Sequence, residues 1–174
     1  MIDPRYPVGK FKLPAAITNE LRAAACSEIA ELPARLRLAS EPLSETQLET
    51  PYREGGWTAR QVIHHLADSH MNSYVRFRLA LTEDVPVIKP YDEAKWAELD
   101  DAKSAPIEVS LRLLDALHLR WARLLRAMSP ADFDRTFRHP ELGERSLDAT
   151  VQLYAWHGRH HLGHIAIVTG KSLK

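Results

Sequence analysis

The sequence predicts an all-α protein, a four-helix bundle with long connections between its helices. Four long segments have the composition or the apolar spacing of helices, and no strand-rich region separates them. The middle connections are long, which argues against simple up-down-up-down wiring. A chain of 174 residues suits one domain, which we place at residues 1–174.

The first half of the chain contains two of these helices. Two irregular segments, an N-terminal arm and a connector, cover residues 1–13 and 40–56. Between them, residues 15–39 are rich in Ala, Leu, Glu and Arg and predict a helix, in which Pro33 predicts a kink or a new turn. The second helix follows Thr58, because Thr58 and Gln61 have the spacing of a capping box.

The second half begins with a long surface segment, residues 84–105, in which residues 93–99 predict one short helical turn. Loops of this length are often functional, so we expect this segment to form a pocket wall. Pro106 suits the first turn of the third helix, which extends to about residue 128.

The last part of the chain predicts a small hairpin and a final helix. We place the hairpin within residues 135–146, around Gly143. Ser146, with Asp148 behind it, has the residue type of a helix N-cap, and Gly170 has that of a C-terminal cap.

Charge and cysteine content exclude several classes of protein. Lys and Arg together number 23, as do Asp and Glu, so no net field attracts nucleic acid or an anionic membrane. The chain has no signal-like apolar region at its start and no apolar run near the ~18 residues that span a bilayer. Its one cysteine, Cys26, excludes a disulfide framework and zinc-finger sites. We therefore expect a cytoplasmic protein without nucleic-acid or membrane partners.

The last helix carries an unusual group of histidines. His157, His161 and His164 share one stripe with apolar residues, and His160 borders it, so the rings should face the interior of the bundle. Imidazoles at positions i and i+4 are close enough to chelate one ion. Two such pairs exist, 157/161 and 160/164, and their spacing does not choose between them. Buried histidines that only form hydrogen bonds are the alternative.

The second helix offers a further ligand. His65 shares its helical face with a set of polar residues, namely Gln61, Asp68, Ser69, Asn72 and Arg76. This face is either exposed to solvent or lines an interior pocket in which His65 binds a metal and Asp68 or Asn72 supports it. The buried histidines of the last helix favour the second alternative, because they need a polar partner.

The remaining histidines predict structural roles. His64 and His70 lie off the face of His65, and we expect both to be packed or hydrogen-bonded. His118 is alone on an apolar face of the third helix and is expected in the core. His139 lies beside a proline in a loop and gives no functional signal.

Three stretches resemble the YfiT-type branch of the DinB-like family of metal-dependent hydrolases: TPYREGGWTARQVIHHLADSHMNSYVRFRLALTE, KPYDEAKWAEL and YAWHGRHHLGHI. The resemblance implies a four-helix bundle that holds one divalent ion per subunit, zinc or nickel, through three histidines. Matched to the motifs, these are His65, His157 and His161. His160 and His164 then line the pocket or support the ligands, and a direct ligand role for His164 is not expected. The resemblance also implies a homodimer.

Hydrolysis is the activity that the resemblance implies. Three neutral imidazoles leave an open coordination position, which is typical of catalytic rather than structural zinc. A bound metal can lower the pKa of its water from 15.7 to about 7, which makes hydroxide available at neutral pH. No catalytic residue is assigned; Asp68 is the preferred carboxylate for a general base, and Asn72, His160 and His164 are further candidates to support the site.

Two other functions remain open for this small-molecule site. The open position could bind a low-molecular-weight thiol of the bacillithiol type, because coordination deprotonates a thiol, and wider relatives resemble thiol transferases. Arg53, Arg76 and Lys89 are candidates to hold carboxylates of such a cosubstrate. The third function is a non-catalytic metal-binding bundle. Trp96 and Trp121 would serve either a dimer interface or the core.

Overall fold

The computed structural model describes residues 3–170 and contains four long helices, six short elements and their connections. The long helices are α1 (Asn19–Ser40), α3 (Ala59–Thr82), α6 (Ile107–Ala127) and α8 (Leu147–Thr169). The short elements are α2 (Glu45–Leu48), α4 (Glu93–Ala97), α5 (Asp100–Ser104), α7 (Pro130–Asp134), β1 (Thr136–His139) and β2 (Gly143–Ser146). The predicted all-α bundle and its hairpin are therefore confirmed. Residues 1 and 2 of the predicted arm and residues 171–174 of the predicted domain lie outside the described residues.

The four long helices form a ring in which the first two in sequence are diagonally opposite. α1 packs against α6 and α8, and α3 packs against the same two helices. The chain must therefore cross the bundle between α1 and α3, which is possible because an 18-residue connection separates them. This arrangement agrees with the wiring that the long connections predict.

Cap residues set the ends of these helices. The side chain of Thr58 accepts a hydrogen bond from the backbone N–H of Gln61. In return, Oε1 of Gln61 accepts a hydrogen bond from the backbone N–H of Thr58, which completes the capping box. The Ser146 hydroxyl accepts from the N–H of Ala149 at 3.1 Å. Gly170 ends α8 with φ +67°, a left-handed conformation that glycine adopts at low cost.

Helix α1 differs from its prediction at its start. It begins at Asn19 rather than residue 15, because Thr18 provides the N-cap. It also continues through Pro33 to Ser40 without interruption. Proline has no N–H for the carbonyl four residues earlier, which belongs to Ile29. That carbonyl instead accepts a hydrogen bond from Nδ1 of His118 at 2.6 Å.

The long segment before α6 contains more structure than predicted. The predicted short turn at 93–99 is α4, and a second short helix, α5, follows it without having been predicted; both contact α3. The segment also contacts the hairpin, since Ile88 N–H donates to the carbonyl of Arg138 at 3.0 Å. The hairpin pairs β1 with β2 antiparallel, with Thr136 opposite Ser146. The segment is thereby held against the face of the bundle that carries α3.

Two groups of buried apolar residues stabilise the bundle at different heights. The aliphatic cluster consists of Leu32, Leu36, Leu48, Ala59, Val62, Ile63, Leu66, Ala67, Leu111, Leu114, Leu162 and Ile165. The aromatic cluster is built around Tyr74, Phe77, Trp121, Phe133, Phe137 and Tyr154. Trp121 is fully buried, so its proposed interface role is wrong, whereas Trp96 is partly exposed and packs against Tyr91. Within residues 3–170, no helix has the length and apolarity required to cross a membrane.

Candidate metal centre

The histidines of α3 and α8 lie near the level at which the two apolar clusters meet. On α3, His70 lies between Ala67 of the aliphatic cluster and Tyr74 of the aromatic cluster, and His65 directly precedes Leu66 of the aliphatic cluster. On α8, residues 157–161 lie between Ala155 of the aromatic cluster and Leu162 of the aliphatic cluster. All but His157 are buried, and His157 is partly exposed.

Three of these rings come together in the geometry of a metal site. Nε2 of His65 lies 3.3 Å from Nε2 of His157. The ring centre of His161 lies 4.8 Å from that of His65 and 4.5 Å from that of His157. Each ring offers one ligand atom within 4.8 Å of the other two. Two nitrogens bound tetrahedrally to zinc at about 2.05 Å are themselves about 3.3 Å apart, so the observed spacing fits such an ion.

Burial keeps these ligand rings neutral. It lowers the pKa of His65 to about 4 and lowers the pKa values of His157 and His161 well below 6.5, and the neighbouring histidines add to the effect. A neutral imidazole has a free lone pair on one nitrogen, which is the form that binds a metal. The site is therefore prepared for a cation at neutral pH.

A second triad overlaps the first. His160, His161 and His164 are all buried and also offer ligand atoms within 4.8 Å of one another. Nδ1 of His164 lies 3.2 Å from Nδ1 of His161, and the ring of Tyr52 stacks on His164 at 3.8 Å. If His161 binds metal through Nε2, its Nδ1–H donates to His164, which then orients the ligand rather than competing for the ion.

His70 contacts His157, the other candidate ligand on α8. It is fully buried, and its Nε2 lies 3.2 Å from Nδ1 of His157. The sequence placed His70 off the face of His65 and gave it only a structural role. Its contact with His157 depends on how α3 and α8 cross, which the periodicity of one helix does not reveal.

The triad opens into a cavity of about 490 Å³. Its walls come from the N-terminal arm, the loop before α3, α4 and α8, and its lining residues are Arg5, Tyr6, Tyr52, Arg53, Gly55, Gly56, Trp57, His65, Glu93, Trp156, His157, His160, His161 and His164. The arm is held in place by Trp156, whose indole N–H donates to the carbonyl of Gly9 at 3.0 Å. Trp57 packs on His65 at 4.7 Å between ring centres.

The acidic group on this cavity is Glu93 rather than Asp68. Asp68 and Asn72 do not line the cavity; Nδ2 of Asn72 donates to the backbone carbonyl of Asp68 at 2.9 Å. Burial, with a contribution from Asp101, raises the pKa of Asp68 to about 6. The sequence predicts that the segment 84–105 forms a pocket wall, but it does not identify Glu93 as the residue that lines the cavity.

The candidate anion-binding residues lie in different places. Arg53 lines the metal cavity, together with Arg5. Arg76 lines a neighbouring cavity of about 680 Å³ that shares Glu93 with the first. Lys89 is exposed.

Hydrogen bonds account for the other three histidines. Nδ1 of His64 lies 2.7 Å from the hydroxyl of Ser110. His118 bonds to Ile29, as described above. Nδ1 of His139 accepts backbone N–H groups in the hairpin loop, the nearer from Glu141 at 3.2 Å.

The family model described as "DinB superfamily" matches residues 28–165, most of the chain. The chain belongs to the DinB superfamily. Its DinB relatives include two proteins named "Putative metal-dependent hydrolase". One, from Bacillus mycoides strain KBAB4, is 56% identical over 165 residues and 95% of each chain. The other, from Oceanobacillus iheyensis, is 54% identical over 164 residues, which cover 94% of this chain and 95% of the relative.

Solved structures agree with this DinB assignment. YfiT from Bacillus subtilis superimposes with a TM-score of 0.93 and 46% identity, over 98% of this chain and 100% of that one. It is described as a probable metal-dependent hydrolase with an unusual four-helix bundle topology. A second four-helix bundle protein, TT2238, shares the fold with a TM-score of 0.58 and 22% identity over 81% of this chain and 94% of that one. The histidine cluster could bind a divalent metal, in agreement with the names of the close relatives.

Proposed function

We propose that this protein is a metal-dependent hydrolase in which His65, His157 and His161 hold one divalent ion that remains accessible to substrate. The single observation that carries the proposal is the position of this triad. Three neutral imidazoles, two of them with Nε2 atoms 3.3 Å apart, form part of the wall of a 490 Å³ cavity. The names of the close relatives support the same assignment.

The donor set favours zinc or nickel. All three donors are imidazole nitrogens, which suit first-row ions such as zinc, nickel and copper. Magnesium and calcium prefer carboxylate and carbonyl oxygens. When bound, the ion supplies Lewis acidity, which polarises a carbonyl group and makes water nucleophilic at neutral pH.

The residues of the cavity would orient the substrate and limit its contact with water. Trp57 covers one side of His65, and Trp156 lies stacked on His160 at 4.5 Å between ring centres. Trp57 thus reduces the contact of His65 with solvent, and a lower water content strengthens electrostatic interactions within the cavity. A small molecule with an apolar part fits these walls.

Glu93 is the residue we assign to proton transfer. It lines the cavity, and burial together with the nearby charge of Asp92 raises its pKa above the usual value. A carboxyl group with a raised pKa holds a proton more readily near neutral pH, which suits a group that accepts and returns one. Its carboxylate oxygens would take the proton of the attacking water and deliver it to the leaving group.

Thiol transfer is the second candidate, and Arg53 of the cavity favours it. Arg5 and Arg53 both line the cavity of the triad, but the guanidinium of Arg5 already binds the carboxylate of Asp3, with Nη2 2.9 Å from Oδ2. Guanidinium binds carboxylates in a bidentate manner, as a peptide-like or malate-like thiol cosubstrate would require. In this function Lewis acidity would activate the thiol of the cosubstrate instead of water.

One activity comparison separates these functions. The zinc-loaded and nickel-loaded proteins are assayed on ester and amide panels, and on low-molecular-weight thiols paired with electrophiles. Turnover of esters or amides without thiol, reduced in Glu93→Gln at unchanged metal content, supports the hydrolase. Conjugation that depends on added thiol supports the transferase and contradicts the hydrolase. Loaded protein without turnover in either panel, and without an exchangeable water, would favour a non-catalytic metal-binding bundle.

A further inference from the structure

A chain of buried rings extends from the metal centre into the core, on the side away from the cavity. His70 contacts His157, as described above, and stacks on His118 with ring centres 4.9 Å apart and planes at 24°. His118 in turn bonds to the carbonyl of Ile29 at 2.6 Å. This carbonyl is available because residue 33 is proline and has no N–H to donate to it. The chain therefore connects a metal ligand on α8 to the backbone of α1.

The partners determine where each ring carries its proton. A carbonyl only accepts hydrogen bonds, so Nδ1 of His118 carries the proton and Nε2 is a bare acceptor. On His157, Nε2 is the ligand atom when metal is bound, so Nδ1–H donates to Nε2 of His70. A neutral His70 must then carry its own proton on Nδ1. All three rings are thus in the Nδ1–H form in the metal-loaded protein.

Four buried polar atoms in or beside this row of rings have no hydrogen-bond partner among residues 3–170. They are Nδ1 of His70, Oγ of Ser73, Nε2 of His118 and Nε1 of Trp121. The Trp121 ring lies 5.8 Å from that of His70 and 5.7 Å from that of His118. Ser73 follows His70 by three residues on α3, which places both on one face of the helix. The three rings that carry the unpartnered nitrogens therefore contact one another, and Ser73 lies on the same face of α3 as His70.

The donor and acceptor types of these groups are complementary to one small molecule. His70 Nδ1–H and Trp121 Nε1–H are donors, His118 Nε2 is an acceptor, and the hydroxyl of Ser73 accepts as well. A water molecule has two lone pairs and two hydrogens, and buried waters typically make about three hydrogen bonds to such groups. One water molecule therefore has the number and type of hydrogen-bonding groups that these four atoms require.

We infer that His70, Ser73, His118 and Trp121 form a sealed binding site for a single water molecule, and that His70 is thereby fixed as the positioning residue for the metal ligand His157. The positioning role rests on the proposed metal site. The Nδ1–H form of His70 rests on it as well, whereas the Nδ1–H form of His118 depends only on its bond to the carbonyl of Ile29. Through its contact with Nδ1 of His157, His70 holds that ring in the tautomer that presents Nε2 to the ion.

Nuclear magnetic resonance of the full-length, zinc-loaded protein tests the tautomers directly. With nitrogen-15-labelled histidine, long-range proton–nitrogen correlations distinguish the Nδ1–H from the Nε2–H form. We expect the Nδ1–H form for His118 with and without zinc, and for His70 with zinc. An Nε2–H form of His118, or of His70 in the loaded protein, would overturn the inference. A high-resolution crystal structure should show one water in contact with these groups, and direct contact among them without water would overturn the water site.

Two matched variants test positioning. His70→Leu removes the acceptor for His157 Nδ1–H and should weaken zinc binding by about 10–100-fold, the usual cost of losing an outer partner of a ligand. His70→Gln retains an acceptor oxygen near the position of Nε2 and should restore most of that loss. Equal zinc affinity in wild type and His70→Leu would contradict the positioning role. If wild type itself binds no zinc, the metal site and the positioning role both fail, while the presence or absence of the water in the crystal structure still decides the water site.

Discussion

Adjacent residues on α3 and α8 have opposite roles. Leu66 is fully buried in the aliphatic cluster, whereas His65 before it faces the cavity and lies against His157. Leu162 and His161 repeat this relation on α8. One residue turns a helix by 100°, so each pair divides its two members between two surfaces. The comparison teaches that the stability of the bundle and the binding capacity of the site depend on different side chains of the same helices.

The two regions also differ energetically. Burial of a leucine side chain contributes about 1.5–3 kcal/mol through the hydrophobic effect. Burial of a histidine requires that it be neutral, which is why the pKa of His65 is lowered to about 4 by desolvation. The aliphatic cluster thus stabilises the fold, and part of that stability offsets the cost of burying the neutral histidines of the candidate metal site.

The largest expected effect falls on the histidine side of the comparison. His157→Ala or His161→Ala should abolish stoichiometric binding of zinc and of nickel, because each removes one of three ligands. His139→Ala is the matched control, since His139 lies in the hairpin loop, and it should retain full metal content. Metal analysis of the purified proteins measures this difference. Full occupancy in both α8 variants would refute the ligand assignment.

A smaller effect falls on the leucine side. Leu66→Ala or Leu162→Ala should lower the free energy of unfolding by about 2–5 kcal/mol, because each leaves a cavity in the aliphatic cluster. Metal content of the folded variants should stay at one ion per chain. Urea denaturation of metal-free protein measures the stability, and Leu119→Ala, at a position that is 74% exposed, should change it by less than about 0.5 kcal/mol. Loss of metal from folded Leu66→Ala would break the comparison.

The smallest expected effect concerns Asp68, which sequence reasoning assigned to the site. Its pKa of about 6 lies above the ordinary value of 3.8, so the folded state binds this proton more tightly than the unfolded state. The contribution of Asp68 to stability is therefore largest below pH 3.8 and decreases as the pH rises toward 6. Asp68→Asn removes the penalty, and it should stabilise the protein more at pH 7 than at pH 4.5, with metal content unchanged. Urea denaturation at both pH values checks this, and equal gains at both would contradict the assignment of this pKa.

The sequence predicts the fold well because the relevant signals are local. The capping box at Thr58, the cap at Ser146 and the glycine at 170 each set a helix end within one turn of chain. The start of α1 was predicted four residues too early, because Ala15 and Ala16 have high helix propensity but Thr18 provides the cap. The hydrogen bond from His118 to the carbonyl that Pro33 leaves free was not predicted, since His118 lies 85 positions further along the chain.

The site was predictable only where its residues share one helix. The spacing of histidines on α8 indicates two chelating pairs, 157/161 and 160/164, between which only the family resemblance chose, and the polar face of α3 indicates a role for His65. The support of His157 by His70 and the presence of Glu93 on the cavity wall both depend on how separate elements pack. The polar face of α3 misled the choice of carboxylate, because Asp68 shares a face with His65 without sharing its cavity.

X-ray absorption spectroscopy of the zinc-loaded protein tests the central claim most directly. We expect three imidazole nitrogens at about 2.0–2.1 Å and one further light-atom ligand that exchanges with added anions or thiols. His65→Ala should remove one of the imidazole contributions, although His65 and its partners on α8 are 92 positions or more apart in sequence. A spectrum with four protein ligands and no exchangeable position, or one unchanged in His65→Ala, would contradict an accessible ion held between α3 and α8.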